Sequence, residues 1–208
     1  MAKSLLKTFL RTALAAVFAA AAARAGLQAR SPLEVVRASN QAILDIYAAH
    51  ASIDDETRKE IDAIMDGVTD FEEISHRTLE RLCREISGTE CEEFRRTFRE
   101  LLRISSVKKL GRYRADLFEY LGQEVDGDTA VVKTVAYYEG DGYGLDYSLE
   151  RIGGRWLIVN YVMDGVDTVR NYQKQFTRLI KRESFAALMA RLRKKIEEYE
   201  SEKDEAPR

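Results

Sequence analysis

Several residue sets in this chain could do chemistry. Ser75-His76 sets a hydroxyl beside an imidazole. A serine nucleophile needs that imidazole within hydrogen-bond reach, but adjacent residues on a helix point to different sides of it. His76 therefore reads as a surface or capping residue. Asp164 and Asp167 flank Gly165. At a pocket mouth one of them could serve as a general base, the role a small hydrolase would need, but no second titratable group stands beside them in sequence. As local residues they would build a turn and cap the following helix. Glu72-Glu73, Glu92-Glu93 and Glu197-Glu198 read as solvated helix faces. The two histidines, His50 and His76, have no Cys or His partner at metal-ligand spacing. There is no nucleophile elbow, P-loop, dinucleotide fingerprint or HExxH helix. The expectation is a protein that is not an enzyme and holds no metal or cofactor.

Cys83 and Cys91 lie eight residues apart across Ser87-Gly88-Thr89. In an oxidising compartment they could form a disulfide, worth about 2–3 kcal/mol at most for so short a loop. The alternative is two half-buried thiols whose Cα atoms a helix holds beyond bridging range.

The first half of the chain carries a helical period. Ser31-Pro32 starts a helix with Val35, Val36, Ile43, Leu44, Ile46 and Tyr47 on its apolar stripe. Asp54 or Asp55 caps a second, with Ile61, Ile64 and Met65 inward. Thr69-Asp70 introduces a third, Phe71 to Ile86. Thr89 and Glu92 have capping-box spacing for a fourth, buried through Phe94, Phe98, Leu101, Leu102 and Ile104. Residues from Ser105 or Ser106 to Tyr113 predict one more short helix. The period then falls to two. Asp116 to Glu124, Thr129 to Tyr138, Leu145 to Ile152 and Arg155 to Met163 read as strands. Asp126-Gly127-Asp128, Gly140-Asp141-Gly142 and Gly153-Gly154 separate them with hairpin chemistry. After Asp164-Gly165 two further helices follow. The first is lined by Val166, Val169, Tyr172, Phe176, Leu179 and Ile180, the second by Phe185, Leu188, Leu192 and Ile196. The fold class is α+β: a curved antiparallel sheet of about four strands with about seven helices packed on it.

The amino terminus predicts export. Lys3, Lys7 and Arg11 precede an uncharged Ala-rich run, Thr12 to Ala23, and Ala23-Arg24-Ala25 offers a cleavage site. The run is too short for the ~20 residues of a spanning helix. Residues 1–25 are thus expected to be a leader, residues 26–199 one domain and residues 200–208 a charged tail. Loss of the leader removes four of 33 Lys+Arg and none of 35 Asp+Glu, taking the net charge from −2 to −6. That balance does not suggest a nucleic-acid binder or a protein held by charge on an anionic membrane. Export also argues against work that needs ATP, NAD or a reducing thiol pool.

The sheet and the helix after it are rich in large apolar residues: Val132, Val135, Tyr137, Tyr147, Leu149, Ile158, Val162, Val166, Val169, Tyr172 and Phe176. A plain core explains them. A helix-covered curved sheet can also hold a cavity, with tyrosines suited to its rim.

The stretch from Phe71 to Lys195 resembles the MlaC family, also called toluene-tolerance or ABC-transporter auxiliary proteins. The resemblance is carried by Phe71 to Leu82 (FEEISHRTLERL), Glu93 to Leu102 (EFRRTFRELL), Val131-Val132-Lys133-Thr134 and Asp146-Tyr147-Ser148-Leu149. Its sharpest part is Trp156 to Phe176, W-x7-D-G-V-x5-Y-x3-F, followed by Phe185-x2-Leu188-x3-Leu192. The family usually has Asp in place of Asn160 and Ser in place of Asp167. It commonly has Gly where Arg182-Glu183 stands. The resemblance implies a periplasmic shuttle that holds the acyl chains of a glycerophospholipid in an apolar cavity lined by the eleven residues named above. Its implied partners are an inner-membrane ABC transporter with an MCE-domain subunit and an outer-membrane lipoprotein–porin complex. Two other readings stay open: a carrier of another apolar ligand, such as a hopanoid or sterol, and a non-catalytic export-pathway interaction module.

Overall fold

Ser31 begins the first described element with a capping box. Its Oγ accepts the Glu34 amide at 3.2 Å, and the Glu34 carboxylate accepts the Ser31 amide at 2.6 Å. Both bonds satisfy amides that a helix start otherwise orphans. The computed structural model describes residues 30–50, 54–112 and 115–201. The expected leader and residues 202–208 of the expected tail lie outside them; Glu200 and Ser201 end the last helix.

Six helices and five strands form the described chain. They run α1 (Pro32–Ala49), α2 (Asp55–Val68), α3 (Phe71–Cys83) and α4 (Gly88–Arg112). There follow β1 (Leu117–Asp126), β2 (Thr129–Tyr138), β3 (Asp141–Ile152), β4 (Arg155–Met163) and β5 (Val166–Asp167). Last come α5 (Thr168–Arg182) and α6 (Phe185–Ser201). The sheet is an antiparallel meander in the order β1-β2-β3-β4-β5. The α+β class holds, with two differences in count. The expected short helix after Ser105 is the continuation of α4, because nothing in Ile104-Ser105-Ser106 breaks the 3.6 period; Ser105 bonds back to the Leu102 carbonyl at 3.1 Å. The two-residue β5 adds a fifth strand, made by a turn at Asp164 and Gly165 with φ of 47° and 77°. Positive φ at both central residues is what a tight hairpin turn of this hand requires.

Boundaries also move: α3 ends at Cys83 rather than Ile86, and β1 runs from Leu117 to Asp126 rather than from Asp116 to Glu124. The capping box of α4 is built by Ser87 and Glu90, two residues ahead of Thr89 and Glu92. The β2–β3 turn is Glu139-Gly140, so β3 begins at Asp141 and pairs it with Tyr138.

The helices do not all lie on the sheet. α1 packs across β1 and β2, whereas α2, α3 and α5 meet the sheet chiefly at β4 and β5. The linker between α2 and α3 is stitched to β4, where the Asp70 amide donates to the Ile158 carbonyl at 2.9 Å. Two apolar cores result. One joins Val36 of α1 to Ala130, Val132, Tyr147, Leu149, Trp156 and Ile158 of the sheet. The other lies among the helices and includes Ile61, Ile74, Leu79, Phe94, Phe98, Phe176 and Leu188. Tyr161 touches both. Cys83 and Cys91 are bonded, with Cα atoms 5.1 Å apart, and staple the end of α3 to the start of α4.

Candidate functional site

The eleven residues expected to line a cavity separate into distinct places. Val132, Tyr147, Leu149 and Ile158 fill the core beneath α1. Val135 and Tyr137 stand on the opposite sheet face, because side chains alternate and Val132 points toward α1. The Tyr137 hydroxyl there donates to Glu119 at 2.9 Å. Val162 pairs with Asp146 on that same outer face. Val166 is 55% exposed beside Met163. Val169, Tyr172 and Phe176 belong to the helical core.

The last two of these reach an open cleft of about 450 Å³ between α4, α5 and α6. Its floor is apolar: Leu101, Phe176, Leu179, Leu188 and Leu192. Its rim is cationic: Arg178, Arg182, Arg191 and Lys195. Ser105, Tyr172, Gln175 and Tyr199 complete the lining. Among the described residues no aspartate or glutamate lines it, but Glu183 and Glu198 pair with Arg191 and Lys195 from beside it.

The local sequence explains this arrangement. On α5, Val169, Tyr172, Phe176 and Leu179 recur every three or four residues and so share the inward stripe. The rest of the helix carries five cations and no acid: Arg170, Lys174, Arg178, Lys181 and Arg182. α6 begins from a Ser184 hydroxyl that accepts the Ala187 amide at 3.0 Å. It sets Leu188 and Leu192 against Arg191 and Lys195, one turn each. Phe176 is fixed by an aromatic cluster, with Phe98 at 4.9 Å and Phe94 at 5.5 Å between ring centroids. Burial pushes the Tyr172 phenol above its ordinary range, and the neighbouring Tyr199 adds to the rise. The Tyr199 ring is flanked by the Lys108 and Lys195 ammonium groups at 4.8 and 4.6 Å. Arg191 is held by both oxygens of Glu183 at 2.6 and 2.7 Å. Arg178 and Arg182 have no ion pair among the described residues. A second groove, between α2, α3 and α4, gathers Arg96, Arg99 and Arg103 over Phe71. There Asp66, Asp62 and Glu72 pair with Arg103 and Arg99 and neutralise much of that charge. An apolar floor beneath Arg178 and Arg182 suits a ligand with an alkyl body and an anionic head.

The other candidate residues take structural roles. The Ser75 hydroxyl donates to the Arg95 carbonyl at 3.1 Å and turns toward α4, while His76 stands at the surface beside Glu73. Asp167 caps α5, accepting the Arg170 amide at 2.8 Å. Asp164 ties the β4–β5 turn to β3 by accepting the Gly144 amide at 2.8 Å. Asn160 accepts the Val169 amide at 3.2 Å, so its Oδ1 also holds the first turn of α5. Among the described residues no group of three or more His, Cys, Asp or Glu is placed to hold a metal ion. The arginines and lysine of the cleft rim, with Ser105 and Tyr199, are not among the expected lining residues, and Leu101, Leu179, Leu188 and Leu192 are expected only as packing residues of their helices. The signal that could have found them is the acid-free run of cations on α5.

The sequence model of the MlaC protein family matches residues 37–194. No curated protein matches the chain. A solved structure, that of the phospholipid-binding protein from Ralstonia solanacearum in complex with a phospholipid, shares 16% sequence identity with it. The superposition covers 82% of this chain and 99% of that one with a TM-score of 0.64, a likeness of fold.

Proposed function

The chain belongs to the MlaC family, and from that membership and the cation-rimmed cleft we propose that it is a periplasmic phospholipid carrier. The carrying observation is the cleft between α4, α5 and α6, apolar below and cationic above. An acyl chain would lie on Phe176, Leu188 and Leu192. Each methylene taken from water contributes ~0.8 kcal/mol, so chain burial supplies most of the affinity. The phosphate would sit by Arg178, Arg182, Arg191 and Lys195. Those exposed charges add little energy each but fix which end of the lipid faces solvent. The resemblance of the solved relative, which holds a phospholipid, supports this reading.

Loading would need α6 to part from α5. The two helices are joined through Glu183 and Ser184, and α6 buries Leu188, Met189, Leu192 and Ile196 in the helical core and is further clipped by Arg191–Glu183 and Arg193–Glu93. Both clips are exposed ion pairs, which contribute little and are screened by salt. By family analogy the carrier would exchange lipid with an inner-membrane ABC transporter bearing an MCE-domain subunit and with an outer-membrane lipoprotein–porin complex. The lipid itself is cargo, and the reading needs no cofactor or catalytic group.

The test is native mass spectrometry of the protein purified from the periplasm without detergent, followed by lipid extraction. About one glycerophospholipid per chain is the expected result. A ligand-free mass, with no uptake from phospholipid vesicles, overturns the proposal.

A further inference from the structure

β1 is a ten-residue strand at the end of the sheet, paired with β2 along one edge only. Among the described residues nothing hydrogen-bonds to the backbone of its other edge. α1 crosses its inner face instead, through the Leu33 amide to the Gln123 side chain at 2.8 Å. Sheet edges of this length invite strand addition, and proteins usually shorten, cover or charge them. This one exposes apolar side chains: Leu117 at 57%, Leu121 at 60% and Val125 at 50%. They are three of the seven large apolar residues that stand exposed in the described chain. A bulge between Tyr120 and Gly122 turns Leu121 outward.

Charge decides what could pair there. Asp116 precedes the strand, Glu119, Glu124 and Asp126 punctuate it, and it carries no cation. Asp146 stands on the same outer face, beside Lys133, which pairs with Glu124 at 2.7 Å. Arg37 is the neighbouring cation on the inner side, stacked over the Tyr120 ring at 4.6 Å. A second copy of this chain would lay an acidic strand against an acidic strand, which like-charge pairs across a ladder disfavour. Glu119, Glu124 and Asp126 share the outer face through their partners Val135, Val131 and Thr129, while Val125 faces inward opposite Ala130. An extended segment alternating basic residues on the outer side with apolar residues on the inner side therefore fits the open backbone, the carboxylates and Val125.

We propose that the free edge of β1 is a docking site for an extended, basic segment of a partner protein, added as a further strand of the sheet. Backbone hydrogen bonds give such a complex its geometry, and alternate side chains give it selectivity. The site lies on the sheet, whereas the lipid cleft lies among α4, α5 and α6. The proposal therefore stands whether or not the cleft holds a phospholipid.

The experiment titrates the isotope-labelled full-length protein with a ten-residue peptide of alternating valine and lysine, followed by amide NMR and hydrogen exchange. Shift changes and new exchange protection confined to β1 are expected, with affinity falling roughly tenfold or more between low and physiological salt. The same peptide methylated on alternate backbone nitrogens keeps its charge and loses its donors, so it should bind at least about tenfold more weakly. Leu121→Lys, at a side chain exposed enough to leave the fold intact, should weaken the parent peptide similarly while leaving the melting temperature unchanged. Equal binding of the methylated peptide, shifts centred away from β1, an insensitive Leu121→Lys variant, or self-pairing of the protein through β1 would each overturn it.

Discussion

Replacing Arg178 and Arg182 together with glutamine tests where a lipid headgroup sits. Both side chains rim the cleft and neither pairs with an acid among the described residues. Their loss should leave folding stability within about 0.5 kcal/mol, as for surface changes that break no specific contact. Arg191 is a poorer choice, because its removal would also release Glu183. Each exposed cation facing a phosphate is worth about 0.2–1 kcal/mol. Removing two should therefore cost about 0.5–2 kcal/mol of binding, or roughly 2- to 30-fold in affinity. The loss should be larger at low salt, since these charges are screened over about 8 Å at physiological ionic strength. The assay is transfer of a fluorescent phosphatidylglycerol from vesicles to protein, with a diacylglycerol of the same chain length as the uncharged control. The diacylglycerol should bind the variant and the parent alike. Unchanged phosphatidylglycerol affinity in a variant that melts normally would refute the assignment of the rim to the phosphate. An equal loss for both lipids would show that the arginines act through the apolar wall instead.

Replacing both Cys83 and Cys91 with alanine opens a loop spanning eight residues. Chain entropy puts that at about 2.5 kcal/mol, or about 5–10 °C in melting temperature at this chain length, read by calorimetry. Asn160→Ala removes the acceptor of the Val169 amide and should cost about 1–2 kcal/mol in urea denaturation, whereas Asn160→Asp keeps an acceptor there and should cost less. Burial pushes the Tyr147 and Tyr161 phenols above their ordinary range. An acid raised in the folded state is neutral in both states below about pH 10, so stability is flat there. Above that pH the unfolded chain ionises first, and stability should fall by up to about 1.4 kcal/mol per pH unit for each phenol. Urea midpoints between pH 8 and 11 measure the slope, and Tyr147→Phe should make it shallower.

The order of elements was legible because the period itself changes, from 3.6 through Phe94, Phe98, Leu101 and Leu102 to 2 through Ala130, Val132 and Thr134. Two of the misread boundaries share a cause. At α4 and at the β2–β3 hairpin two adjacent residues offered the same chemistry, and tertiary context chose between them. Ser87 could cap as well as Thr89, and it does so through Glu90, next to the disulfide-bonded Cys91. Glu139-Gly140 could turn as well as Gly140-Asp141-Gly142, and the pairing of Tyr138 with Asp141 settled it. Periodicity also places a residue on a face without saying what covers that face. Val135 and Tyr137 alternate as a strand should, and only the position of α1 shows that they stand away from the core.

The site was harder to read, and the reason is electrostatic as much as geometric. A net charge of −2 averages over a chain whose acids and bases are segregated. Asp116 and β1 after it carry four acids and no base, while α5 carries five bases and no acid. Summed composition argues against attraction to anionic lipid, yet a ligand in the cleft would feel Arg178, Arg182, Arg191 and Lys195 within its own length and be largely screened from β1. Local charge, not the total, decides which molecules each end can hold. The apolar stripe of α5 was visible in sequence as Val169, Tyr172 and Phe176, and was assigned to a cavity against the sheet. What sequence could not supply is that α6 folds back beside α5 and α4, so that the same stripe floors a cleft among helices. The consequence for function is physical: opening the cleft would lift Leu188, Met189, Leu192 and Ile196 of α6 from the helical core, just as opening a cavity beneath α1 would disrupt the packing of Val36 on Val132, Leu149 and Ile158.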